Sequence, residues 1–196
     1  MKTDAMIPQL ATARLVLRAP RLNDADFIFK EWSDPEVTLY MRDQEPLKVR
    51  EQAEEYLRTF LSPAEIPTQK WWGIEEKEGR QLIGTCGFFR WDEQHHRAEI
   101  GYDLCPDRWG RALMPEALTA LIRHGFDQMR LNRIEATTHV ENRRSQRVLE
   151  KLGFQREGLL REYYCQNGIY NDQVQFSLLR KEWLELIISS DSTLSG

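Results

Sequence analysis

The sequence lacks the motifs that are typical of metalloproteins, membrane proteins and nucleoside-triphosphate enzymes. Its three cysteines, Cys86, Cys105 and Cys165, are far apart and form no Cys-x-x-Cys pair, so we expect reduced thiols, no metal site and a cytoplasmic location. No stretch approaches the ~20 apolar residues of a membrane span. The chain has no Gly-x-Gly-x-x-Gly motif, and no Walker lysine follows the turn at Gly110, which argues against those nucleotide-binding folds.

Composition then limits the class of protein. The chain has 196 residues, of which 41% are hydrophobic and 30% charged, with a net charge of −4. These values are typical of a folded domain and argue against dedicated nucleic-acid binding. No linker interrupts the pattern, so we predict one domain over residues 1–188 and a disordered polar tail over 189–196.

The stretch over residues 98–117 is the most informative. Alternating residues predict a strand that ends at Pro106, and an apolar helical pattern begins at Arg111 after a tight turn at Gly110. The N-terminus of a helix has free N–H groups that bind phosphate, and Arg108 and Arg111 would add positive charge. A plain strand–loop–helix connection without a ligand is the alternative.

A second informative stretch contains Asn142 and Ser145. The pattern predicts a helix over 142–152, closed by Gly153, with Ser145 on the same face as Leu149 and Leu152. Each polar residue also has a local explanation: Asn142 can be the N-cap of the helix, and Ser145 can be a small residue that bonds locally near the helix start.

The remaining pattern completes a mixed α/β domain with about seven strands and about four helices, followed by a short C-terminal helix. Asn167-Gly168 predicts a hairpin turn between the last two strands, and Asp34-Pro35 is expected to end the first helix. The predicted strands cover 14–19, 71–75, 81–90, 98–104, 133–138, 154–165 and 169–179, and further helices cover 23–32, 48–61 and 182–188.

The order and spacing of several motifs resemble the GCN5-related N-acetyltransferases (GNAT), in the branch of the ribosomal-protein acetyltransferases. The motifs are TARLVLRAP at 12–20, LIGTCGF at 82–88, AEIGYDL at 98–104, WGRALMPEAL at 109–118, NRRSQRVLEKLGF at 142–154 and NGIYNDQVQFSLLRKEW at 167–183. The resemblance implies a single domain with a mostly antiparallel twisted sheet and a splayed central strand pair that binds coenzyme A (CoA).

The resemblance also implies a binding site for acetyl-CoA. The backbone of Tyr102, Asp103 and Leu104 would bind the pantetheine arm, Asn142 would hydrogen-bond to it, and Ser145 would lie near the thioester sulfur. The family's pyrophosphate loop corresponds to Trp109, Gly110, Arg111, Ala112, Leu113 and Met114. Because Ala112 replaces the usual glycine, we expect it to donate its N–H with a helical or β-type φ.

The resemblance implies direct attack of a primary amine on the thioester. Glu99 is the preferred general base, with Glu135 and His139 as alternatives. Without a catalytic role, Glu99 would be an ordinary solvated carboxylate on a strand. Ser145 would return a proton to the thiolate, with Tyr163 and Tyr164 as alternatives.

Three classes of acceptor or function remain open. The acceptor is a protein N-terminus, as the branch suggests, or a small amine such as a polyamine or an aminoglycoside. A non-catalytic acyl-CoA-binding module is the third possibility. The sequence favours a monomer or a homodimer without distinguishing them.

Overall fold

A computed structural model describes residues 7–41, 45–61, 68–166 and 168–193. Within these residues no helix is long and apolar enough to cross a membrane. The strands are β1 (Leu10–Ala11), β2 (Leu15–Arg18), β3 (Lys70–Glu76), β4 (Leu82–Asp92), β5 (Arg97–Leu104), β6 (Arg133–His139), β7 (Gln155–Gln166) and β8 (Ile169–Leu179). The α-helices are α1 (Ala25–Trp32), α2 (Pro35–Thr38), α3 (Arg50–Leu61), α4 (Leu113–Asp127), α5 (Arg143–Lys151) and α6 (Arg180–Thr193).

The strands form one mixed sheet, which confirms the predicted fold class. They pair in the order β1-β2-β3-β4-β5-β6-β8-β7, one strand more than the sequence predicted. Strand β5 is parallel to β6, and the other pairings with a described register are antiparallel. The registered β5–β6 pairs are only Arg97–Arg133, Ala98–Ile134 and Glu99–Glu135, although both strands continue beyond them. This short pairing agrees with a splayed central strand pair.

Contacts divide the chain into two compact units, and the first comprises residues 1–90 and 101–121. Its apolar cluster forms between α1 and α3, with Ile28, Trp32 and Leu57 buried. The buried guanidinium of Arg18 donates two hydrogen bonds to Asp24, each 2.8 Å long, at the start of α1. It also donates a 2.7 Å bond to Glu75 on β3. These bonds connect β2, β3 and the beginning of α1.

The second unit comprises residues 91–100 and 122–196. Strand β6 pairs with β8 along its whole length, from Arg133–Leu179 to His139–Gln173. The predicted hairpin joins β7 and β8, with Gly168 at a φ of +77°, whereas Asn167 lies outside the described residues. Helix α5 ends at Lys151 and is closed by the predicted Gly153, whose φ is +86°, a conformation that glycine adopts without strain.

One predicted helix boundary is confirmed and another differs. Asp34-Pro35 follows the end of α1 at Trp32, as predicted, and it also begins a further helix, since the side chain of Asp34 accepts a hydrogen bond from the N–H of Glu36 and Pro35 opens α2. Proline is favoured at the first helical position, where its missing N–H costs nothing. Helix α6 also runs to Thr193 and so includes residues 189–193 of the predicted polar tail. Residues 194–196 lie outside the described residues.

Gly84 provides a test of the contact between β4 and β5. A Cβ atom at Gly84 would lie 2.3 Å from the backbone oxygen of Asp103, whereas one at Gly158 would meet nothing within 4 Å. Because backbone cannot move aside as a flexible side chain does, we expect Gly84→Ala to lower the free energy of unfolding by about 1–3 kcal/mol. Denaturant unfolding measures the change, and Gly158→Ala is the control. Equal stability of the two variants would contradict the close approach.

Candidate active site

The turn between β5 and α4 contains two residues with left-handed backbone. Gly110 has a φ of +75° and Ala112 a φ of +55°. The expectation of a helical or β-type φ for Ala112 is therefore wrong. An L-residue in this region costs about 1–2 kcal/mol, and the surrounding loop imposes it, since the chain must reverse before Leu113 begins α4.

Arg14 holds this turn from one side. Its guanidinium donates hydrogen bonds of 3.0 Å to the backbone oxygen of Arg111 and 3.2 Å to that of Ala112. Its Nε donates a 2.6 Å bond to Glu116 in the first turn of α4. Glu116 also accepts a 2.5 Å hydrogen bond from the Thr12 hydroxyl and a 2.7 Å hydrogen bond from the backbone N–H of Arg14. Although burial raises the pKa of Glu116, these bonds hold it below its usual value.

The N–H groups of the turn are consequently available to a ligand. Among the described residues, no acceptor binds the N–H groups of 110–114, and Pro115 has none to offer. Five unpartnered donors at the positive end of the 15-residue helix α4 fit a pyrophosphate. The residues present therefore suit the diphosphate of CoA.

The two arginines near the turn differ in their contacts. Arg111 is exposed, and its guanidinium makes no hydrogen bond or ion pair within the described part of the chain. Arg108 instead donates a 2.9 Å bond to Glu76 and pairs with Asp107, which raises its pKa. Of the two predicted phosphate ligands, Arg111 therefore has its guanidinium available to a ligand, and Arg108 connects the turn to β3.

The predicted pantetheine segment of β5 is held in place by neighbouring side chains. Asp103 is buried and accepts hydrogen bonds from the hydroxyl and the N–H of Thr85 on β4. The indole of Trp109 donates a 2.7 Å bond to the backbone oxygen of Leu104. Trp109 thus connects the end of β5 to the turn that precedes α4. Tyr102 is half-buried.

A second carboxyl, Glu31 on α1, lies beside Asp103. Glu31 is 4% exposed, and neither of its oxygens has a hydrogen-bond partner among the described residues. Burial and, after it, the charge of Asp103 raise the pKa of Glu31 well above its usual value. Burial also raises the pKa of Asp103 to about 6, against the opposing effect of Thr85. The side chains of Asp103 and Cys105 lie near Glu31 but form no hydrogen bond with it.

The candidate base Glu99 lies in the second unit. It is 5% exposed, so it is not the solvated strand carboxylate of the alternative explanation. Its Oε1 accepts a 2.7 Å hydrogen bond from the hydroxyl of Thr137 on β6. This bond orients the carboxyl.

The two other candidate bases are engaged differently. Glu135 accepts a 2.7 Å hydrogen bond from Arg133 and lies 3.8 Å from Arg97. His139 contacts Asn171 through Nε2 at 3.3 Å, and its Nδ1 accepts a hydrogen bond from the N–H of Glu141. Both alternatives thus have structural contacts of their own.

Asn142 and Ser145 form the first turn of α5. The side-chain oxygen of Asn142 accepts a 3.1 Å hydrogen bond from the N–H of Ser145, so Asn142 is the N-cap that the local explanation predicted. Its side-chain NH₂ group makes no bond within the described residues and could donate to a ligand. Ser145 and Tyr164 are half-buried, whereas Tyr163 on β7 is 42% exposed.

The candidate residues fall into both units. The first unit brings together Tyr102–Leu104 and Trp109–Met114, and the second contains Glu99, Asn142 and Ser145. Sequence reasoning missed the roles of Thr12 and Arg14. Their signal was present in the opening TARLVLRAP motif, which was noted for its resemblance alone. No cluster of metal-ligating residues occurs among the described residues.

Comparisons with known proteins match most of the chain. A profile of the acetyltransferase (GNAT) domain matches residues 14–155. An uncharacterized N-acetyltransferase of Bacillus licheniformis, p20, is 42% identical over 89% of this chain and 97% of its own length. The ribosomal protein uS5 alanine N-acetyltransferase of Escherichia coli is 31% identical over 58% of this chain and 59% of its own.

A solved structure shows the same fold. The spermidine N-acetyltransferase of Vibrio cholerae, crystallised with CoA and spermine, has a TM-score of 0.77 and 23% identity. The alignment covers 88% of this chain and 99% of that one. The profile match includes both the β5–α4 turn and Ser145.

Removing the Cβ of Ala112 should relieve the strained turn. We expect Ala112→Gly to raise the free energy of unfolding by about 0.5–1 kcal/mol, because glycine adopts a positive φ without the steric cost. Affinity for CoA should be kept, since the N–H remains. Thermal unfolding and a CoA titration measure both effects. Ala117→Gly, within α4, is the control and should destabilise by about 1 kcal/mol; stabilisation by both changes would contradict the explanation.

The buried carboxyls predict how stability depends on pH. Because the folded-state pKa of Asp103 is raised to about 6, the folded protein keeps a proton that the unfolded chain releases near pH 4. The free energy of unfolding should therefore fall as the pH rises from 4 to 6, and Glu31 extends the fall to higher pH. Asp103→Asn should remove about 1–2 kcal/mol of this decrease, as measured by denaturant unfolding between pH 4 and 8.

Asp92→Asn is the control for the pH experiment. The N–H of His95 lowers the pKa of Asp92, so its replacement should not flatten the curve over the same range. A curve that Asp103→Asn leaves unchanged would show that Asp103 titrates normally.

Proposed function

Because the chain belongs to the GNAT family and is an N-acetyltransferase, we propose that it transfers acetyl from acetyl-CoA to the α-amine of a protein N-terminus. The transfer proceeds by direct attack in a ternary complex. The observation that carries the CoA part is the run of unpartnered N–H groups at 110–114, which Arg14 holds outward by binding the opposite carbonyls.

In this proposal each part of CoA has its own residues. The N–H groups of 110–114 and the Arg111 guanidinium bind the pyrophosphate. The backbone of Tyr102, Asp103 and Leu104 binds the pantetheine arm in the manner of an added strand, with Trp109 supporting it. The NH₂ group of Asn142 donates to the same arm.

Glu99 prepares the acceptor. A protonated amine cannot attack, so a proton must leave the nitrogen first. An N-terminal amine has a pKa of about 7.7–8.0, and a carboxylate needs only to remove that proton, directly or through one water. The Thr137 hydroxyl orients Glu99 for this role. A backbone N–H of β5 stabilises the negative charge that develops on the thioester oxygen.

Ser145 relays a proton to the departing thiolate: its hydroxyl donates one proton to the sulfur and takes another from a solvent water, so that the serine stays neutral. Thiols are fairly acidic, with a pKa of about 8.5, so the thiolate leaves with modest help. The hydroxyl of Ser145 therefore accelerates the last step without being indispensable.

An N-terminal acceptor is supported by the 31%-identical relative, which is a ribosomal protein uS5 alanine N-acetyltransferase. Small amines are the second candidate, because the net charge of −4 favours cationic acceptors. Three free cysteines agree with a reducing cytoplasm, where such acceptors occur. The protein acts as a monomer or a homodimer.

An acetylation assay tests the proposal. CoA release is followed with peptides that begin with Ala, Ser or Met, with a free-lysine peptide, with spermidine and with an aminoglycoside. Release should be fastest with one N-terminal peptide. Glu99→Gln should lower kcat/KM about 100-fold, and Ser145→Ala should lower kcat about 10- to 100-fold.

Controls separate the roles of these residues. Glu150→Gln, an exposed change on α5, should leave the rate unchanged, and Glu135→Gln should cost less than Glu99→Gln. Full activity of Glu99→Gln would assign the base to another group or to solvent. Tight CoA binding without release for every acceptor would favour the non-catalytic module.

A further inference from the structure

Five aromatic rings in the first unit follow one another without interruption. They belong to Trp32 on α1, Tyr56 and Phe60 on α3, Trp71 on β3 and Phe89 on β4. Successive ring centroids are 5.3, 6.5, 5.6 and 6.2 Å apart. The inner ring, Trp32, is 5% exposed, while the last three rings are half-buried.

Glycines provide the space for the outer two rings. A Cβ atom at Gly87 would lie 2.8 Å from the Trp71 ring, and one at Gly101 would lie 2.9 Å from Trp71 and 3.1 Å from Phe89. Trp71 and Phe89 are stacked with only 9° between their planes. The glycines of β4 and β5 therefore leave the space in which these two rings lie against the sheet.

A cation already contacts the outer end of this series. The guanidinium carbon of Arg90 lies 5.8 Å from the centre of the Phe89 ring, within the distance at which a ring face attracts a positive charge. Arg90 is exposed and has a φ of +51°, so the chain holds an arginine there at some backbone cost. The ring face is thus suited to a cationic group.

The path of CoA places this surface at the reacting end. If the pyrophosphate binds at 110–114 and the arm runs back along 104 to 102, the acetyl group lies towards Gly101. Gly101 is the residue whose missing side chain the Trp71 and Phe89 rings occupy. This step rests on the CoA site proposed above.

We propose that Phe60, Trp71 and Phe89 form an aromatic cradle that binds a cationic group of the acceptor, one distinct from the amine that is acetylated. The attacking nitrogen must be neutral, so the charge bound by the rings belongs to a second group. A basic side chain near the N-terminus of a peptide and the second ammonium of a polyamine share this chemistry. The cradle selects acceptors with such a charge, and Arg90 occupies its outer face until the acceptor binds.

Matched acceptors and variants test the cradle. The peptide pair begins Ala-Lys or Ala-norleucine, which differ in the charge at the second position, and the amine pair is 1,4-diaminobutane and butylamine. The readout is the ratio of kcat/KM for the charged acceptor to that for its neutral counterpart. The pair with the higher ratio identifies the source of the cation.

The variants separate π-electron attraction from apolar contact. Trp71→Leu and Phe89→Leu should each lower the ratio about 5- to 30-fold, while Trp71→Phe and Phe89→Tyr should keep most of it. Arg90→Ala should raise the ratio about 2- to 5-fold by uncovering the Phe89 face. Tyr170→Leu, at a 66%-exposed ring on β8, is the control and should change nothing.

Two results would overturn the proposal. One is a ratio near one for both pairs in the unaltered protein, and the other is a ratio that the Leu variants leave unchanged. If no acceptor is acetylated at all, the proposed function fails, and the cradle is then tested by tryptophan fluorescence of the CoA-bound protein. Tighter binding of 1,4-diaminobutane than of butylamine, lost in Phe89→Leu, would support the cradle alone; equal binding would refute it.

Discussion

The hydrogen bonds from Arg14 to the carbonyls of Arg111 and Ala112 fix the turn between β5 and α4. A peptide unit points its C=O and N–H in opposite directions. Binding the carbonyls from one side therefore presents the N–H groups on the other. The same guanidinium bonds to Glu116, so one side chain aligns the turn with the first turn of α4. The left-handed φ of Ala112 is a consequence of this arrangement, since the turn is anchored at both ends.

Burial gives the carboxylates of this protein different chemistries. Glu99 is buried beside a hydroxyl donor, Glu135 is paired with arginines, and Asp103 and Glu31 lie close together with few donors. Desolvation raises the pKa of Asp103 and of Glu31. Glu99 combines burial with orientation by the Thr137 hydroxyl, which suits a proton acceptor.

Much of the fold could be predicted from the sequence because its elements have strong local signals. Period-two alternation marked β5 and β6, Gly153 marked the end of α5, and Asn142 was recognised as a possible cap. Local signals with two meanings were interpreted only in part. Asp34-Pro35 ends α1 as predicted, and the bond from the Glu36 N–H to Asp34 shows that the same pair also begins α2. The polar residues before Thr193 continue α6 although their composition is typical of a tail.

The sequence by itself determined the family, the order of the elements, the turn before α4 and the helix start that contains Ser145, because these depend on motifs and spacing. Tertiary structure alone decided which charges remain available. It pairs Arg108 with Glu76 and leaves Arg111 unpaired within the described residues, and it buries Glu99 against Thr137. It also assembles Phe60, Trp71 and Phe89 from three separate elements. Such contacts join residues far apart in the chain, where no local pattern records which side chains will meet.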